Sequence, residues 1–116
     1  MIKNYYIHDD NCKPELPIAK LTIHETLDLY EESVEIIDEN RIPATLQFIM
    51  DAPAKNKVTL FLEDRVMPAN RMFFSEYCKD NGIDPNSIDD KLTVNKGRIY
   101  QDSYFIVTEY IKEDTL

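Results

Sequence analysis

His8, Asp9, Asp10, Cys12 and His24 are the residues of this chain whose types could build a metal centre. Imidazole nitrogen, carboxylate oxygen and thiolate sulfur together suit zinc or a related transition metal. Both histidines end stretches that read as strands, so pairing of those strands could gather the five groups. The plainer arrangement, surface histidines beside a polar loop, is the expected one, with no metal and no cofactor. Other chemistry finds less support. Glycine occurs only at 82 and 97, which leaves no Gly-rich phosphate cradle. The serines at 33, 75, 87 and 103 lack a nucleophile-elbow context, and Cys78 falls on the apolar stripe of a helix. The carboxylates of residues 25–39 lack the D-x-D-x-D-G loop that holds calcium. No catalytic residue is expected, and the chain reads as a non-enzyme.

The carboxylates point instead to recognition. The net charge is −9, from 22 acids against 13 bases, and it is uneven. Residues 1–40 carry ten acids and three bases, residues 41–80 five and six, and residues 81–116 seven and four. The peak is ETLDLYEESVEIIDE (25–39), with seven carboxylates and no base. Such a chain is repelled by phosphate backbones, so direct nucleic-acid binding is not expected, whereas basic protein surfaces are attracted. Glu25, Asp28, Glu31, Glu32 and Glu35 are the candidate partner-binding residues. The competing reading is a solvated acidic face that serves solubility alone.

The elements that must position these groups fall into two rhythms. Before residue 54 strands dominate: NYYIH (4–8), PIAKLTIH (17–24) with Ala19, Leu21 and Ile23 on one face, SVEIIDEN (33–40) followed by Pro43, and TLQFIM (45–50). DDNCKPELP suits a hairpin loop, and ETLDLYEES suits a helical turn or loop. After residue 54 the period becomes helical. Val58, Phe61, Leu62 and Val66 form one stripe, and Phe73, Phe74, Tyr77 and Cys78 another that stops at Asn81-Gly82. A third helix begins near Asp84 as cap and Pro85 at its first position, with Ile88 and Leu92 turned inward. IYQDSYFIVTEYI (99–111) is aromatic and β-branched and reads as a central or well-paired strand. The expected class is α+β: an antiparallel N-terminal sheet, three short helices and a final strand returning to the sheet, in one domain spanning 1–116. No apolar run spans a membrane, and MIKNYYIHDD lacks a signal-peptide core, so a cytoplasmic chain with two free thiols is expected.

Arg65-x-x-Pro68-x-x-Arg71 reads as a structural corner. Arg65 closes one helix, where its charge suits the negative pole, and Pro68 stops that helix and can open the next. Arg71 falls in the first turn of the following helix, where the dipole does not favour a cation. A carboxylate partner is therefore expected for it: Asp64, Asp102 or Glu109.

These residues also carry a resemblance. The order of Ile18-Ala19-Lys20-Leu21, Arg65/Pro68/Arg71, Asn81-Gly82-Ile83 and Asp102/Tyr104/Phe105/Ile106 resembles the N-terminal subdomain of HipA-like proteins. The likeness covers most of the chain through scattered positions, without the kinase domain that follows in that family. HipA-like proteins are serine/threonine kinases of toxin–antitoxin systems, and this subdomain does not hold their ATP site. A free-standing copy resembles a module that binds and restrains such a kinase. The function expected is thus a small acidic protein-binding regulator. The alternative is an acidic inhibitor of a nucleic-acid-handling enzyme, of the anti-CRISPR or antirestriction type, presenting carboxylates where the target expects phosphates.

Overall fold

A computed structural model describes residues 1–42, 44–51, 55–99 and 102–112. The elements run β1 (Ile2–Asp9), β2 (Ala19–Glu25), β3 (Tyr30–Ile36), a 3-10 turn (Glu39–Arg41), α1 (Ala44–Asp51), α2 (Lys57–Glu63), α3 (Phe74–Asn81), α4 (Ile88–Asn95) and β4 (Tyr104–Ile111). The four strands form one antiparallel sheet in the order β3-β2-β1-β4. The class is α+β, and the last strand returns to pair with the first.

Strand alternation sorts the side chains onto two faces. Tyr5 and Ile7 of β1, Ala19 and Leu21 of β2 and Ile106 of β4 are buried beneath the helices, against Leu46, Val58, Phe61, Leu62 and Leu92. Burying each Leu or Phe side chain in such a core contributes roughly 1.5–3 kcal/mol. The opposite face, with no helix over it among the described residues, carries a polar ladder. Thr22 Oγ1 donates to Asn4 Oδ1 (2.9 Å), and Asn4 Nδ2 donates to Glu109 Oε1 (2.9 Å). Asn4 is therefore buried but satisfied.

Two polar clamps tie helices to the sheet. Asp89, in the first turn of α4, accepts from Lys3 Nζ (2.8 Å) and Tyr5 OH (2.6 Å). Burial, then the hydrogen bond and charge of Asp89, push the Tyr5 phenol far above its ordinary range, so it remains the donor. The second clamp is Arg65, only 2% exposed. Its Nε donates to the Gly97 carbonyl (2.6 Å), and its two terminal nitrogens grip Asp102 at 2.9 and 2.7 Å. Asn95 Nδ2 closes the cluster on the Arg65 carbonyl (2.9 Å). One guanidinium thus joins the exit of α2, the exit of α4 and the entry to β4. Gly97 is required there: its φ is +69°, and an added Cβ would lie 2.6 Å from the Ile106 side chain.

Several expectations are corrected. TLQFIM is not a strand but the body of α1, because Leu46, fully buried, and Met50, packed on the core, stand four residues apart on one helical face. β3 begins at Tyr30 rather than 33 and ends at Ile36, since the hairpin turn is tight: Thr26 N–H bonds the Leu29 carbonyl (2.8 Å). ETLDLYEES accordingly divides into the end of β2, that turn and the start of β3. Asp84 does not cap α4. Ser87 does, accepting from the Asp90 N–H (3.1 Å), while Asp84 turns its carboxylate to the Asn86 N–H (2.9 Å) and Pro85 lies before the helix. The final strand is an edge, not central, although all eight of its residues pair with β1. Pro43 and residues 100–101 of that expected strand lie outside the described residues.

Candidate interaction surface

The acidic stretch folds into the tip of the β2–β3 hairpin and the edge strand β3. At the tip Leu27 is fully exposed, Tyr30 about half so and Leu29 less. Glu25, Asp28 and Glu31, all exposed, surround them. Exposed apolar side chains ringed by charge have the composition of an interface anchor and its rim. The sequence reading puts Leu27, Leu29 and Tyr30 in a helical turn or loop, not at a hairpin tip. Thr26 and Leu29 pair across the turn, and the two-residue loop between them leaves Leu27 and Asp28 facing outward.

Alternation along β3 then separates the remaining carboxylates. Glu31, Ser33 and Glu35 share the helix-free face, opposite His24, Thr22 and Lys20 of β2. Glu32 points the other way. Its Oε1 accepts from the Thr59 N–H (2.8 Å) and its Oε2 from the Thr59 hydroxyl (2.7 Å), in the first turn of α2. The preceding Asn56 makes no side-chain cap, so Glu32 satisfies from across the fold an N–H that a helix start leaves open. The Tyr30 hydroxyl also donates to Glu32, and this bond is the main reason its phenol is held above the ordinary range. Four of the five candidate carboxylates therefore face solvent, and Glu32 is engaged within the fold.

Between the outer edge of β3 and residues 50 and 55–57 runs an open groove of about 610 Å³. Tyr30, Val34, Met50, Lys55 and Lys57 contribute to its walls. Lys57 Nζ is committed to the Met50 carbonyl (2.7 Å) in the last turn of α1.

The corner residues separate in the same way. Arg65 holds the ion pair with Asp102, whereas Arg71 lies exposed in the turn before α3 and joins no ion pair among the described residues. The ion pair expected at Arg71 is thus found at Arg65, because α3 starts only at Phe74 and leaves Arg71 outside its first turn. Pro68 is exposed and opens a turn, its carbonyl accepting from the Arg71 N–H (3.1 Å), rather than a helix. Burial raises the Asp102 carboxyl, but the Arg65 hydrogen bonds, the Tyr104 N–H and the Arg65 charge outweigh it and hold the group below the usual carboxylate range.

The grouping of His8, Asp9, Asp10, Cys12 and His24 does not form. Antiparallel pairing sets His24 opposite Ile2, at the far end of β1 from His8. His8 stacks on Phe105 (5.1 Å between centroids), and its Nδ1 lies 2.8 Å from the Pro14 carbonyl. Among the described residues no three His, Cys, Asp or Glu side chains stand close enough to share an ion. Cys12 is exposed and Cys78 buried, both as free thiols. No helix among the described residues is long and apolar enough to cross a membrane.

No family model matches this chain, and neither a curated protein nor a solved structure matches it.

Proposed function

We propose that this protein is a non-catalytic binding module that restrains a partner protein, a role in line with its likeness to the HipA N-terminal subdomain. The partner is a kinase toxin of that type. The observation that carries the reading is the β2–β3 hairpin, whose tip exposes Leu27, Leu29 and Tyr30 among Glu25, Asp28 and Glu31. Apolar anchors supply binding energy once desolvated, and the surrounding charge steers a basic surface onto them.

The test mixes the purified chain with a HipA-type kinase and measures both binding and kinase activity. Leu27→Ala should weaken binding by roughly tenfold or more, as hot-spot truncation does. A kinase that is bound equally well by Leu27→Ala and by the combined Glu25→Gln, Asp28→Asn, Glu31→Gln, Glu35→Gln variant would remove the hairpin from the mechanism. The second reading, an acidic inhibitor of a nucleic-acid-handling enzyme, is favoured by Glu31 and Glu35 lying on one face with only Ser33 between them on that face. Under it the charge-neutral variant loses most of the salt dependence of binding, while Leu27→Ala changes little.

A further inference from the structure

The hydrogen-bond parity of the hairpin shows which backbone groups of β3 pair neither with β2 nor, among the described residues, with another element. Glu25 N–H bonds the Met1 carbonyl, so the odd-numbered residues of β2 face β1 and the even-numbered ones face β3. Register then pairs His24 with Glu31, Thr22 with Ser33 and Lys20 with Glu35. The N–H and C=O groups of Glu32, Val34 and Ile36 therefore point away from the sheet, along the groove bounded by Met50, Lys55 and Lys57. Edge strands in this condition are templates for an added strand.

The surroundings specify what that strand carries. Side chains opposite Glu31, Ser33 and Glu35 would project on the helix-free face, beside two carboxylates. Side chains opposite Glu32 and Val34 would enter the groove, where Val34 and Met50 offer apolar surface and Lys55 and Lys57 disfavour a cation. The same carboxylates discourage edge-to-edge pairing of two copies, since like charges directly opposite are unfavourable. We propose that the open edge of β3 takes up an extended segment of the partner as a fifth strand, with Lys or Arg outward at alternate positions and small apolar residues between. This deepens the binding reading above and rests on it for the partner's biological identity.

The probe is a blocked seven-residue peptide alternating lysine and valine, added to the full chain while amide hydrogen exchange is followed by NMR. Exchange at Val34 and Ile36 should slow by about tenfold or more, the gain of a hydrogen bond of ordinary strength. The peptide alternating glutamate and valine should give no protection. N-methylating one alternate set of peptide amides should abolish the effect, and methylating the other set should leave it, because only one set meets the edge. Equal loss from both sets, or unchanged exchange at the edge, overturns strand addition. If the charge-neutral hairpin variant loses the kinase while the peptide leaves the edge amides unprotected, the binding reading stands and strand addition falls. If the peptide protects the edge but no partner depends on the hairpin, strand addition stands and the regulatory reading falls.

Discussion

Asp102 and Glu31 are both carboxylates near the start of a strand, yet one is gripped by an arginine at 2.7 Å and the other projects into solvent. The contrast extends to two populations. Asp102, Asp89 and Glu32 each accept at least two hydrogen bonds that join a helix or turn to another element. Glu25, Asp28, Glu31 and Glu35 lie on a hairpin and an edge strand, where nothing in the fold requires a charge. In a chain of net charge −9, the first group stabilises the fold, and the second adds repulsion that the fold must tolerate. Charge without a structural use is free to meet a partner, which is what the proposed function asks of it.

This division can be broken most forcefully at its inner member. Arg65→Met takes the cation from Asp102 and the donor from the Gly97 carbonyl, so unfolding in urea should show a loss of about 3–5 kcal/mol. An unchanged midpoint would mean that the cluster holds nothing together. Gly97→Ala should cost roughly 2 kcal/mol by the same measurement, from the collision with Ile106 and the positive φ together.

Acid provides a second cut through the comparison. Because the Asp102 carboxyl is held below its unfolded value, its contribution is complete above the ordinary carboxylate range and is lost as pH falls through the folded value. Stability should therefore decline on acidification below about pH 4, and Asp102→Asn should flatten that part of the profile while lowering the plateau. A parallel profile for the variant would show that the acid sensitivity resides elsewhere. Smaller again, Glu32→Ala should cost about 1 kcal/mol by uncapping α2. Glu31→Gln combined with Glu35→Gln should remain within about 0.5 kcal/mol of the parent, as exposed substitutions do. If the outer pair proves as costly as Glu32, the two populations are one.

Much of the architecture was legible because its signals are local. β1 and β2 announce themselves by alternation, Gly82 marks the end of α3 with a φ of +64°, and Val58, Phe61 and Leu62 share a buried helical stripe. α1 was not legible as a helix, since TLQFIM mixes residues of both propensities and only the i, i+4 pair Leu46 and Met50 reveals the period. The site was half legible. Composition picks out residues 25–39, but strand parity decides that Glu32 turns inward, and parity depends on where the hairpin turns. The Arg65 clamp required tertiary knowledge of the same kind. Two arginines six residues apart look alike until Asp102, 37 residues further on from the first, is placed beside one of them.

The position of β1 in the sheet has a consequence for the order in which the chain can fold. Its early residues can pair with β2 as soon as those have been made, but Ile2 must wait for Ile111 to complete its other side. Closing so long a loop is entropically slow. A chain made only as far as α4 would therefore hold a three-stranded meander in which β1, flanked on both sides in the finished sheet, is still at the edge, with the Asn4 amide lacking Glu109 as acceptor. Ribosome-held chains stopped before residue 104 are the species in which chaperone contact with that unfinished side should be strongest.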